Sequence, residues 1–474
     1  MTAANCQTVS RRSALRWTAA AALSGAAPPR ILTKPVRPNF IVILTDDHGY
    51  HDLGCQGAEE LNTRNFDALA ESGTRFTDWY SNAPMCAPAR AALMTGKYPQ
   101  RVGVFGNNPV TPGAEVLFPE ILKELGYRTA VFGKWHLGVR PDQHPNSNGF
   151  DEFFGFHTCN DYYSHRFYWG DPARVNYHDL WRNRTEVFKD GRYFTELVNE
   201  EAIKFIHACH STPFFMYLPY SAVHYPMHAP SPYVERFPDL EPERQMYAAM
   251  LSVVDDGLGA IIETLETYGL RDNTCIFFAS DNGATRERRA GLNQQPAKGG
   301  SNAPFRGAKF SLFEGGIRVP AIVSWPDRVP ARQVVSEVGS TMDLFPTIVR
   351  AAGGRVPDSA ELDGRDILPM VTDGAASPHE ELFWASQGQL AVRHGKWKLV
   401  KGGLAEDIVG GKPIERLKDP DSLFLADLAA DPGESTNLRS RYPQVAQDLE
   451  QRASAWLQRV TAEGKELLRE DAVR

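Results

Sequence analysis

Four short apolar runs, each ending in a polar cluster, restrict the folds open to this chain more than any other feature. Residues 40–44 run into Thr45-Asp46-Asp47-His48-Gly49, and residues 128–132 run into Gly133-Lys134-Trp135-His136. Further along, residues 214–218 lead to Ser221-Ala-Val-His224-Tyr-Pro226, and residues 275–279 lead to Ser280-Asp281-Asn282-Gly283. Between them lie stretches with apolar residues at helical spacing, for example 65–72 and 247–268. Strand-like runs alternating with amphipathic helices specify an α/β domain with a large, mainly parallel (mixed) central sheet flanked by helices. Ligands bind outside the carboxyl ends of strands in such sheets, so the four clusters are expected to meet at one rim. Asp255-Asp256 has no strand end beside it and reads as a solvated or capping pair rather than a metal site.

Beyond about residue 370 the pattern changes to short alternating runs at 389–394, 397–401 and 423–428, followed by a helix at 444–460. The expected organisation is therefore an α/β domain over 36–370, with a smaller C-terminal antiparallel sheet plus helix over 371–474. Ahead of both, Ser10-Arg11-Arg12-Ser13-Ala14-Leu15 precedes a weakly apolar run too short to span a bilayer. Residues 1–27 thus read as a twin-arginine signal, which implies the twin-arginine export machinery as a partner and a periplasmic or secreted bacterial protein. A short membrane anchor is the second reading of that segment, and no membrane span is expected in the mature chain. A net charge of −7 with mixed signs, and no basic stripe, argues against a nucleic-acid partner. Of six cysteines, Cys6 lies in the signal, and Cys55, Cys159, Cys209 and Cys275 lack metal-site spacing, which leaves them as core or loop thiols or one disulfide.

Cys86-Ala-Pro-Ala-Arg90 places a thiol and a guanidinium four positions apart at a helix start, where Pro88 and the following amides favour an anion. A small buried cysteine before an ordinary helix is the plain alternative. Asp46, Asp47, Asp281 and Asn282 offer only oxygen ligands, which suit calcium, or magnesium, better than zinc. Taken singly, such residues commonly end strands and begin turns. Lys134, His136, His224 and Lys309 add two cations and two titratable groups. A sulfate or phosphate ester needs such cations to balance charge in the transition state, and its leaving alcohol needs a proton.

In combination, these segments resemble the sulfatase family: the formylglycine-dependent, arylsulfatase-like branch of the alkaline-phosphatase-like superfamily. The motifs carrying the resemblance are Pro38-Asn39-Phe-Ile-Val-Ile-Leu-Thr-Asp46-Asp47, residues 86–96, Gly133-Lys134-Trp-His136-Leu-Gly138 and Ser280-Asp281-Asn282-Gly283. The resemblance implies that a maturation enzyme oxidises Cys86 to formylglycine, whose hydrate attacks sulfur. It also implies that Asp46, Asp47, Asp281 and Asn282, with residue 86, bind calcium. By the same resemblance Arg90 steadies the modified residue, Lys134 and Lys309 hold sulfate oxygens, His224 protonates the departing alcohol, and His136 takes a proton so that sulfate is released. Ala89 departs from the common pattern, where serine is frequent, and so does His51, where glycine is common.

The stretch 151–184 is dense in aromatic and polar groups, including His157, Tyr163, His165, Arg166 and Trp169, a composition suited to sugar rings. His51, Tyr163, His165 and Arg166 are the candidate substrate contacts, with an ordinary packed loop as the alternative. The implied activity is hydrolysis of a sulfate ester, on a sulfated carbohydrate rather than a simple aryl alcohol. A phosphomonoesterase or phosphodiesterase of the same superfamily, and a non-catalytic sulfated-glycan binding protein, are the two other readings.

Overall fold

The computed structural model describes residues 37–107, 115–167, 176–404, 408–409, 412–413 and 422–473. The proposed signal, residues 1–27, and Trp169 lie outside them.

Asn39–Thr45 is buried along its whole length, which explains why its sequence is a continuous apolar run. Alternate side chains serve two cores. Ile41 and Ile43 pack with Phe66, Leu251 and Phe278 on one face, whereas Phe40, Val42 and Leu44 meet Leu93, Phe118 and Phe345 on the other. This strand pairs in parallel with Phe214–Pro219 and with Thr274–Ser280. Arg128–Lys134 extends the parallel set beyond Phe214–Pro219, and Glu152–Phe156 lies outside it. On the opposite flank Ala321–Ser324 pairs antiparallel with Thr274–Ser280, so the ten-stranded sheet is mixed. The expected fold class is thereby met.

Strand ends carry the polar clusters to one rim, where backbone bonds join them: Asp46 N–H to the Ala222 carbonyl (3.0 Å), Val223 N–H to that of Asp46 (2.9 Å) and Asp281 N–H to that of Thr45 (3.0 Å). Asp255 is a cap from a distance. Its carboxylate accepts the N–H groups of Asn65 (3.0 Å) and Phe66 (2.9 Å), in the first turn of Arg64–Glu71. Asp256 is exposed and pairs with Arg236.

The C-terminal residues form a four-stranded antiparallel sheet, Glu381–Ser386, Gln389–His394, Trp397–Lys401 and Leu423–Asp427. Ala446, Leu449, Ala453, Trp456 and Val460 of the helix Pro443–Val473 pack into the same core. The first of these strands is absent from the sequence reading because Leu382-Phe-Trp-Ala385 is apolar throughout and hides its alternation. The helix also runs past residue 460. Gly464 lets it approach the Gln100 carbonyl so closely that a Cβ there would lie 2.0 Å from the oxygen, and Arg101 pairs with Glu463 alongside. The five cysteines among the described residues are free thiols, and no helix there is long and apolar enough to cross a membrane.

Behind the rim, Glu314, Lys398 and Glu434 meet with no solvent exposure. The Lys398 ammonium lies 2.7 Å from Glu314 and 3.1 Å from Glu434. Tyr80 donates to Glu314 at 2.6 Å, and Arg318 pairs with it at 3.1 Å. This buried cluster ties the segment following Lys309 to the C-terminal sheet.

Candidate active site

The helix Cys86–Thr95 is buried at all ten positions and ends at Gly96, whose φ of 66° closes it in the left-handed region. Its first residue faces the rim, and the Cys86 thiol donates to Asp46 Oδ1 at 3.2 Å. Arg90, one turn on, is fully buried. Its guanidinium donates to Asp281 Oδ2 (2.8 Å) and to the Lys134 carbonyl (2.8 Å), and lies 3.3 Å from Asp46. Arg90 thus joins three strand ends to the Cys86 helix.

Lysines flank the carboxylates. Lys134, the last residue of its strand, pairs with Asp46, and Lys309 pairs with Asp47 at 2.8 Å. Burial alone would raise Asp46, but Lys134, His224, Arg90 and Lys309 together hold it well below the usual carboxylate range. At Asp47 burial wins over Lys309, and with Asp46 and Asp281 adding repulsion the group is pushed up to about 7. Asp281 is raised by burial and by Asp46. Asp47 and Asp281, raised where Asp46 is lowered, are the carboxylates that Arg90, Lys134 and Lys309 leave under-compensated.

Asn282 completes the group. Its amide donates to Asp47 Oδ1 at 2.8 Å, while its own Oδ1 is buried with no partner. That orphaned oxygen beside Asp46, Asp47 and Asp281 fits a hard divalent cation. Ligand atoms of Asp46, Asp47, Cys86 and His224 lie within 4.8 Å of one another.

Both histidines are buried and held neutral. Burial, Lys134 and Arg90 push His136 well below 6.5, and burial with Lys309 does the same to His224. His224 Nδ1 faces the Tyr225 carbonyl at 2.5 Å, so Nδ1 carries the proton and Nε2, 3.8 Å from Asp47, faces the cluster. His136 Nδ1 is buried with no partner. The thiol is held protonated, because burial and then Asp46 raise Cys86 well above 9.

The expected substrate contacts fare differently. His165 is a core residue, which corrects its expected place in the substrate pocket: it is fully buried beside Phe156 and Phe194, with Nε2 on the Arg192 carbonyl at 3.1 Å. Tyr163 is half-buried against Tyr193 and His228, Arg166 is exposed, and His51 is half-buried. None is in hydrogen-bond contact with the cluster around Cys86. The sequence reading omitted Glu287, which is fully buried and lies 3.8 Å from the Lys309 ammonium. Its carboxylate accepts from Tyr225 at 3.2 Å and pairs with Arg289. Thr285-Arg-Glu-Arg-Arg289 reads as a solvated charge run, and no local signal marks its one inward carboxylate.

A family model described as Sulfatase matches residues 38–354, and one described as N-sulphoglucosamine sulphohydrolase, C-terminal, matches residues 308–459. With this match and the fold above, the chain belongs to the sulfatase family of the alkaline-phosphatase-like superfamily, and is a sulfuric ester hydrolase. It is 36% identical over 397 residues to N-acetylgalactosamine-6-sulfatase of Mus musculus, covering 77% of this chain and 72% of that one. Arylsulfatase J of Mus musculus is 33% identical over 465 residues, with 88% and 75% covered. Among solved structures, Ps i-CgsB in complex with k-i-k-neocarrahexaose superposes with a TM-score of 0.80 at 30% identity, covering 92% of this chain and 98% of that one.

Proposed function

We propose that this chain is an exported, calcium-dependent sulfatase acting on a sulfated carbohydrate through a formylglycine made from Cys86. One observation carries the reading: buried oxygen ligands and buried cations from distant strand ends converge on a single side chain, residue 86. The unmodified thiol is a poor nucleophile there, because it is held protonated and donates to Asp46. A hydrated aldehyde at this position would supply an attacking hydroxyl, and calcium held by Asp46, Asp47, Asp281 and Asn282 with residue 86 would take a sulfate oxygen and favour ionisation of that hydroxyl.

The remaining roles belong to the chain itself. Arg90 fixes the helix start against Asp281 and neutralises part of the carboxylate crowd. Lys134 and Lys309 are placed to turn from Asp46 and Asp47 toward sulfate oxygens once a divalent ion holds those carboxylates. His224 points Nε2 at the cluster with Nδ1 anchored on the Tyr225 carbonyl, and since Nε2 is bare in the neutral ring it donates to the leaving alcohol only from the imidazolium, a form that an arriving anionic substrate favours. His136, with an unpartnered Nδ1, is placed to take a proton when sulfate departs. The glycan preference rests on the relatives: a hexosamine sulfatase and a structure holding a neocarrahexaose. Cys86 is only 1% exposed, which favours oxidation of the chain before it folds and suits maturation before export.

The test is sulfate against phosphate release from matched aryl esters, using protein whose residue 86 is shown by peptide mass spectrometry to be converted. Faster sulfate release, lost on chelation and restored better by calcium than by zinc, is expected. Preferential phosphate release would make the protein a phosphoesterase. Converted protein that retains sulfated sugar without turnover would be a binding protein.

A narrower prediction concerns His224. Replacing it with alanine lowers kcat for a sugar sulfate by about 10²–10⁴-fold, and much less for nitrophenyl sulfate, whose leaving group needs no proton. Since burial and Lys309 hold this imidazole below 6.5, its acid form is lost as pH rises. Wild-type kcat/KM for the sugar ester should therefore fall with rising pH more steeply than for the aryl ester. Equal losses on both esters would exclude His224 as the proton donor.

A further inference from the structure

A cavity of about 330 Å³ opens among the described residues, with His144, His157, His178, Asp179, Trp181 and Arg184 in its wall. It adjoins the candidate active site through the backbone, since the His136 N–H donates to the His157 carbonyl at 3.1 Å. Asp179 organises the wall. Its carboxylate accepts from His157 Nδ1 (2.9 Å), Thr158 N (3.1 Å) and Oγ1 (2.7 Å), Asn160 Nδ2 (3.2 Å) and Trp181 Nε1 (3.0 Å).

Those bonds determine what the cavity offers. A carboxylate only accepts, so His157 Nδ1 carries a proton, and in the neutral ring its Nε2 is the acceptor. His178 is set in the same way, with Nδ1 on Glu186 at 2.8 Å. Nε2 of both rings is buried with no partner, and His157 as a whole is only 6% exposed. His144 is different, because Nε2 meets the Asn183 carbonyl (3.0 Å) and Nδ1 accepts from Asn146 (3.2 Å). The Nε2 acceptors of His157 and His178 are both buried at the wall of one cavity, where O–H donors would satisfy them. Trp181, its indole held by Asp179, adds an apolar ring face, and Arg184, bonded to Ser147 at 2.7 Å, adds positive charge.

Hydroxyl donors on an apolar ring describe a sugar. Two histidines with carboxylates behind them can also hold a metal, but no third ligand joins His157 and His178 among the described residues. The group of potential metal ligands found among the described residues is the one around Cys86. We propose that this cavity binds the sugar unit adjoining the sulfated one, so that the enzyme reads at least a disaccharide. The inference rests on the sulfatase reading above and locates its selectivity in His157, His178 and Trp181 instead of Tyr163, His165 and Arg166.

The experiment compares kcat/KM of matured enzyme on three esters: 4-nitrophenyl sulfate, N-acetylgalactosamine 6-sulfate, and a disaccharide carrying that unit. Wild type is expected to favour the disaccharide over the monosaccharide at least tenfold. His157→Phe and Trp181→Leu should each bring that ratio to within about threefold of unity, mainly through KM, while the aryl ester reports that the variant is folded. A wild type without disaccharide preference, or variants that keep it, would overturn the proposal, as would a preference that appears only when zinc is added. Failure of the wild type on all three esters would instead defeat the sulfatase reading. If neither variant folds, soaking wild-type crystals with the unsulfated disaccharide decides: a sugar ring in the cavity supports the proposal, and an empty cavity refutes it.

Discussion

Cys86→Ala should abolish sulfate ester hydrolysis, with kcat falling on the order of 10⁴-fold or more, while the protein keeps its fold. The expectation follows from the proposed role of residue 86, whose thiol meets Asp46 within the network of Arg90, Lys134, Asp47 and Lys309. Removing the atom leaves only charge stabilisation and binding, which give small residual rates. Alanine should be tolerated structurally because the thiol is small and the hydrogen bond it gives up is the one to Asp46. Turnover of 4-nitrophenyl sulfate, beside circular dichroism and substrate binding, is the measurement. Activity within tenfold of wild type would place the nucleophile elsewhere.

Lys398→Met should lower unfolding stability by about 3–5 kcal/mol, because it takes the ammonium from Glu434 with no solvent to replace it and leaves Glu314 to Arg318 and Tyr80. The loss has a definite pH dependence. Burial raises Glu314, but Lys398, Arg318 and Arg393 outweigh it and bring the group down to about 2. Burial, opposed by Lys398 and reinforced by Glu314, pushes Glu434 up to about 7 from an ordinary 4.5. A carboxyl raised in the folded state takes up a proton that the unfolded chain releases. Its favourable term is complete below about 4.5 and is lost as pH rises through about 7. Without Lys398 the proton is needed more, so the variant's deficit should be larger at pH 8 than at pH 5. Urea unfolding at the two pH values checks this, and a deficit that shrinks with rising pH would contradict it.

The parts of the molecule legible in the sequence are those where local pattern and burial agree. Residues 40–44 are apolar without alternation because both faces of that strand are covered, and the polar groups after it mark where the cover ends. The same logic located Asp281 and Lys134. Arg90 and Cys86 were legible through their helical spacing. His165 misled because aromatic density looks the same in a core and in a cavity; the turn from Asp161, with His165 at φ 53°, directs its ring inward. Glu287 and Asp179 could not be recognised locally, since what distinguishes them is a set of partners many residues away. The strand at 381–386 was missed for a related reason: its half-exposed positions carry Phe383 and Ala385, so no polar face shows.

Gln389, on the second strand of the C-terminal sheet, clasps the turn that follows Lys309. Its side-chain oxygen accepts from Leu312 N–H at 3.1 Å, and its amide donates to the Phe310 carbonyl at 2.7 Å. The Phe310 N–H in turn reaches the Pro84 carbonyl, two residues before Cys86, at 2.7 Å. A nascent chain of 370 residues would therefore own every reactive group and still have no clasp to set them. A nick that frees the strand carrying Gln389 should weaken a centre whose chemistry it never touched.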